Sequence, residues 1–165
     1  MMRSAQRVMG VALLVGVLGV LGAAAPGQGA VAAPFTIVAA QTPANGEQNF
    51  NGAIKGQLVL TVPLGAMVQI TFKNQGTLPH SLQIIPPTNP LPATALNAPA
   101  FPGAQIKNPQ VGITKGQTAT VQFTATKAGK YLMICGFPGH ALLGMYANFI
   151  VADSPAAKPT ITVNK

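Results

Sequence analysis

"YLMICGFPGHALLGMYANFIV", Tyr131 to Val151, holds the chain's only Cys, one of its two His and two of its six Met. Two apolar runs enclose a loop bearing Pro and Gly, so the stretch reads as strand, loop, strand. Cys135 closes the first run, "KYLMIC", His140 sits in the loop, and Met145 opens the second run, "MYANFIV". The three follow one another as C-x4-H-x4-M. A thiolate, an imidazole and a thioether form a soft donor set that suits copper in both of its oxidation states.

Each of these residues has a plainer reading when taken alone. Free Cys is commonly a small buried hydrophobe, and Met145 would fit a core. His140 would fit an exposed Pro-Gly loop, and His80 in "LPHSLQI" a solvated position at a strand start. Met133 lies two residues before Cys135, shares its face of the strand, and reads as core. Their convergence weakens the plain readings, because both histidines and the lone Cys fall at strand-to-loop boundaries. Two His and one Cys with a weak axial Met define the blue-copper electron-transfer site. The spacing also has a mechanical sense. Cys135 is fixed at a strand end, the loop turns back to present His140, and Met145 returns as the next strand begins. His80 must arrive from a distant strand to close the site. The candidate metal ligands are His80, Cys135, His140 and Met145.

Outward from this loop the pattern has period two. "QLVLTV" puts Leu58, Leu60 and Val62 on one face, and "MVQITF" does the same with Val68, Ile70 and Phe72. "TATVQFTA" alternates Ala119, Val121 and Phe123 against Thr and Gln. These are half-buried strands, and no convincing helical period follows the N-terminal segment. The expected fold is all-β, an antiparallel sandwich or barrel of about seven or eight strands. Pro86 to Pro109 holds 7 of the 15 prolines, which rules out a central strand there. A connection this long is usually functional or covering, and it is expected to pack near whatever His80 serves. The tail is expected to add a short edge strand at Thr160 to Val163.

The N-terminus has another character. Arg3 and Arg7 precede a charge-free apolar run from Val8 to Ala25, followed by small-residue sites at Ala23–Ala25 and Ala30–Ala32. These are the parts of an export signal, although 18 residues also approach the shortest membrane span. Residues 1–33 are read as a signal peptide or N-terminal membrane anchor, and 34–165 as the folded domain. The destination is the periplasm or the extracytoplasmic face of the cell membrane, anchored or soluble. An exported chain with one Cys has no internal disulfide, so that Cys needs another explanation.

The net charge is +8, from 10 Lys+Arg against Glu47 and Asp153 alone. The basic residues are scattered singly and aromatics make up only 5%, so nothing suggests a nucleic-acid surface. A surface nearly free of carboxylates keeps its charge in acid, where Asp and Glu neutralise near pH ~4; an acidic exterior is one expectation. A thiol hydrolase is disfavoured, because Cys135 follows an apolar strand and almost no carboxylate is present to orient a base. Two His are too few for a multicopper oxidase, and one Cys too few for a binuclear copper site. Structural zinc is disfavoured because Met is a poor zinc ligand.

Two stretches, "FNGAIKGQLVLTVPLGAMVQITFKNQGTLPHSLQI" and "AGKYLMICGFPGHALLGMYANFIV", resemble the cupredoxins and, among them, the sulfocyanins. The ligand loop is also similar to those of rusticyanin and auracyanin. The resemblance covers about Phe50 to Val151. It implies a Greek-key β-sandwich and one type 1 copper ion, with His80, Cys135 and His140 as equatorial ligands and Met145 as the axial one. It further implies one-electron transfer in an extracytoplasmic respiratory chain rather than enzymatic catalysis. The partners so implied are membrane complexes, a quinol-oxidising cytochrome complex and a terminal oxidase, served by a monomer. The alternative is an exported copper carrier or storage protein in the same fold. One departure stands out: many cupredoxins have Asn after the first ligand His, and here that position is Ser81.

Overall fold

The computed structural model describes residues 32–154 and 156–164. The expected export signal falls almost wholly outside them. Eight strands form: β1 (Ala32–Ala39), β2 (Leu58–Pro63), β3 (Met67–Asn74), β4 (Gln83–Ile85), β5 (Thr118–Thr124), β6 (Gly129–Ile134), β7 (Tyr146–Ala152) and β8 (Thr160–Val163). The period-two readings carry straight into burial. Leu58, Leu60 and Val62 of β2 point inward, as do Val68, Ile70 and Phe72 of β3. The tail strand β8 occupies the residues expected for it and is exposed throughout.

The strands divide into two sheets, β1-β3-β5 and β4-β6-β7-β2-β8. One apolar cluster draws on both, with Ile37, Ile70, Phe72 and Val121 from the first and Leu58, Leu60, Met133 and Phe149 from the second. The architecture is therefore a sandwich rather than a closed barrel. Each fully buried Phe, Leu or Ile here stabilises the fold by about 1.5–3 kcal/mol relative to exposure. The sheets are mixed, which corrects the antiparallel expectation: β1 runs parallel to β3, and β2 parallel to β7. Consecutive strands β1, β2 and β3 alternate between sheets, so β1 and β3 enter theirs in the same direction. Alternating burial fixes a strand's face but carries no information about its neighbour's direction.

The proline-rich segment is anchored in the core. Phe101 is buried and stacks on Phe123 at 5.4 Å between centroids, with Tyr131 at 4.8 Å. The amides of Ala100 and Ile106 donate to the carbonyls of Ile84 and Leu82, at 2.8 and 3.1 Å. The segment thereby lies along the outer side of β4 and the strand's approach from His80.

Candidate metal centre

Cys135 directly follows β6, and its amide donates to the carbonyl of Met145 at 3.1 Å. The amide of Met145 donates in turn to the carbonyl of His140 at 3.0 Å, and that of His140 to Phe137 at 3.2 Å. The three residues of the C-x4-H-x4-M loop are thus stitched together by the loop's own backbone. Met145 precedes β7 by one residue instead of opening it, because its amide is taken by the His140 carbonyl of the loop.

His80 comes from elsewhere, as the spacing requires. It lies between β3 and β4 and forms an isolated antiparallel bridge with Ile113. Asn74, buried at the end of β3, fastens this turn. Its Nδ2 donates to the carbonyls of Leu78 and Ile113 at 2.8 and 2.7 Å, and its Oδ1 accepts from the Gly76 amide at 2.8 Å.

The turn and the loop converge on one point. The donor atoms of His80, Cys135 and His140 all lie within 4.8 Å of one another. Cys135 Sγ is 3.4 Å from His140 Nδ1 and 4.0 Å from His80 Nδ1. The two imidazoles stand 4.9 Å apart between centroids, tilted by 50°. Met145 is wholly buried and belongs to the same apolar cluster as Cys135. Met133 is equally buried in that cluster, but its backbone pairs with Ala147 across β7 and bonds to neither histidine. Of the four candidates only His140 shows to solvent, at 4%.

Ser81 ties the two halves together. Its amide donates to Cys135 Sγ at 3.3 Å, and its hydroxyl accepts from the Gly136 amide at 2.7 Å while standing 3.8 Å from the sulfur. The shorter side chain in place of Asn therefore still links the histidine turn to the cysteine loop. Gly136 allows the proline-rich segment to close over the site, because a Cβ there would meet Ala95 Cβ at 2.5 Å. Thr94 Oγ1 and the Ala95 amide both donate to the Gly136 carbonyl, at 2.9 and 3.0 Å. The expected packing of this segment near the histidine site is present.

Burial sets the electrostatics. It pushes the Cys135 thiol up, against the opposing hydrogen bonds from Ser81 and Phe137. It pushes His80 down to about 4, helped by the neighbouring His140 and opposed by Glu47. His140 is lowered by burial alone. A dry site disfavours both the bare thiolate and the imidazolium. A bound cation removes the first difficulty and needs neutral imidazoles, so this environment favours a metal over protons. The donor set fits copper: one sulfur and two Nδ1 atoms converge in a pocket with no carboxylate among them, which disfavours harder cations.

Two further polar residues escaped the sequence reading. Asn45, in a 3-10 turn at Ala44–Glu47, donates from Nδ2 to the Leu143 carbonyl at 2.8 Å, inside the ligand loop. Glu47 Oε2 accepts from the amide and the hydroxyl of Thr77, both at 2.8 Å, beside the histidine turn. The one available signal was that Glu47 is one of only two acidic residues.

Residues 28–162 match the family of the sulfocyanin (SoxE) domain. Sulfocyanin of Sulfolobus acidocaldarius is 32% identical over 130 residues, covering 74% of this chain and 65% of that protein. The chain thus spans a little under two thirds of the curated relative it matches. Among solved structures, auracyanin A, a "blue" copper protein of Chloroflexus aurantiacus, superposes with a TM-score of 0.52 at 24% identity, covering 73% of this chain and 99% of that one. A copper nitrite reductase of Nitrosomonas europaea gives 0.53 at 25% identity, over 77% of this chain and 43% of that one.

Proposed function

The chain belongs to the sulfocyanin family, and from that premise we propose that it carries single electrons on the outer side of a cell membrane. His80, Cys135, His140 and Met145 form the arrangement of a type 1 copper site in a cupredoxin fold. Copper bound there supplies a one-electron couple and a strong thiolate-to-metal absorption. The protein's own part is to hold three donors at fixed separations, keep water out, and leave one edge open.

The observation that carries this reading is the contrast between a sealed donor set and a single exposed edge. His80, Cys135 and Met145 are wholly buried, whereas His140 keeps 4% of its surface open, packs on Phe137 at 4.7 Å between centroids, and is followed in the loop by the exposed Leu142 and Leu143. Such an apolar rim lets a partner approach an imidazole without wetting the site. A carrier or store that hands over its metal is better served by an open mouth; this one is closed by the ligand loop and the proline-rich segment. Partners in a membrane respiratory chain, a quinol-oxidising complex upstream and a terminal oxidase downstream, suit that edge. The apolar, arginine-led N-terminal segment supports extracytoplasmic placement, anchored or free.

The test is the visible spectrum of the exported domain with Cu(II). An intense band near about 600 nm is expected from thiolate charge transfer, and Cys135→Ala should abolish it. A colourless copper complex, or colour that survives Cys135→Ala, would overturn the reading.

A further inference from the structure

The imidazole of His80 uses its Nδ1 toward the sulfur, 4.0 Å away. Its other nitrogen, Nε2, is buried and has no hydrogen-bond partner among the described residues. An unpaired buried N–H costs about 1–3 kcal/mol, and a metal-ligating histidine almost always gives that proton to a carboxylate, carbonyl or water. What lies near Nε2 therefore matters.

Gly76 marks the place. A Cβ there would stand 2.9 Å from His80 Nε2 and 3.2 Å from Glu47 Oε2, so both atoms border the same narrow space beside the Gly76 Cα. The same Cβ would meet Ala40 Cβ at 2.6 Å, so no side chain can occupy the position. Its φ is not in the left-handed region, so this glycine is required by space and not by backbone conformation. Glu47 is held at the gap by Thr77, whose amide and hydroxyl both engage Oε2. Oε1 takes no hydrogen bond among the described residues. Asn45, two residues earlier, pins the same turn to the ligand loop through the Leu143 carbonyl.

We propose that Glu47 is a positioning residue for the metal centre, its carboxylate receiving the His80 Nε2–H across the gap left by Gly76. The inference rests on the copper reading of the site. The Ala44–Glu47 turn then serves both halves of the centre, since one end holds the loop of His140 and Met145 and the other holds the ring of His80. A carboxylate behind an imidazole makes the ligand more basic and fixes its tautomer. Its negative charge also favours Cu(II) over Cu(I), since the oxidised site carries one more positive charge.

Glu47→Gln separates this role from simple bracing, because the amide oxygen can still accept from Thr77 while the charge is gone. Thr77→Val removes the hydroxyl bond and leaves the charge. In the full chain, Glu47→Gln should weaken Cu(II) about 10–100-fold and Cu(I) much less, with the far-ultraviolet circular dichroism unchanged. Thr77→Val should leave the ratio of the two affinities in place. A second readout needs no metal. Long-range nitrogen–proton correlation spectra of the apo protein should show His80 as the Nε2–H tautomer in wild type and as a tautomer mixture in Glu47→Gln. Equal losses of both affinities in the two variants, or an unmoved His80 tautomer, would reduce Glu47 to a brace and overturn the proposal. If wild type itself gave no blue copper complex while the tautomer shifted as expected, the copper reading would fail and the Glu47–His80 pairing would stand.

Discussion

The loop from Cys135 to Met145 links its own three ligands to one another and is fastened from outside at Gly136 and Leu143, whereas His80 is placed entirely by residues outside that loop. Inside the loop, Cys135, Phe137, His140 and Met145 bond to one another through backbone alone. Around His80, the partners are Asn74, Ile113, Ser81 and Cys135, reached from the end of β3, from the stretch just after the proline-rich segment and from the residue that follows β6. Three ligands therefore hold their mutual geometry by local chain folding, and the fourth by tertiary structure. Faults in the sandwich should reach the centre through His80 first.

The largest effect that bears on this contrast is expected from Asn74→Ala. It leaves the buried Gly76 amide and the Leu78 carbonyl without their partner and takes from the Ile113 carbonyl one of its two donors, the His80 amide remaining, at about 1–3 kcal/mol for a buried group left unpaired. Urea unfolding of the apo protein should show a loss of about 1–3 kcal/mol, with copper affinity falling as well. Leu143→Ala, at an exposed position in the self-closed loop, should stay within about 0.5 kcal/mol. Equal effects at the two sites would erase the distinction.

Acid provides the next test. The folded protein holds His80 down to about 4 against its ordinary 6.5, and lowers His140 in the same direction. Between those values the unfolded chain binds protons that the native chain refuses, so apo stability must fall with pH. It should be at its plateau above about pH 6.5, decline through the window down to 4, and flatten below. Urea midpoints of the apo protein across that range, compared with His80→Ala, check it. A midpoint independent of pH would mean that the histidine turn opens to water without metal.

The smallest expected effect compares two thioethers. Met145→Gln should retain copper and lower the reduction potential, because an amide oxygen is a harder donor and favours Cu(II). Met133→Leu should cost less than about 1.5 kcal/mol and leave both potential and colour alone. A spectrum that follows Met133 would move the axial ligand onto β6.

The sequence disclosed the self-closed half of the centre more fully than the other, for the same physical reason. C-x4-H-x4-M is a local pattern, so its meaning survives in one dimension. His80 was recognisable as a donor, but its supports were not, because Glu47 and Ile113 are distant in the chain and the nearer Asn74 is unremarkable as a residue type. Asn74 did leave a trace: it extends the inward series Val68, Ile70, Phe72 of β3 as a polar residue on a core-facing position. The strands β2, β3 and β5 were legible from their alternation. The parallel pairings were not, since direction comes from how the chain crosses between sheets.

The outer strands of the larger sheet bear on the company this protein keeps in solution. A bare strand edge invites another chain to add itself, and with that come aggregates. At one edge, β4 is only three residues long and the proline-rich segment runs beside it through Ala100, Ala104 and Ile106. At the other, β8 pairs with β2 along Leu58 to Thr61, covering a strand whose inward face is wholly apolar. β8 itself is short, and Pro159 stands just before it, a poor template for further growth. The tail thus guards the sheet instead of building the core. Unpairing it would cost little folding free energy, yet would leave β2 open to the β2 of a second molecule.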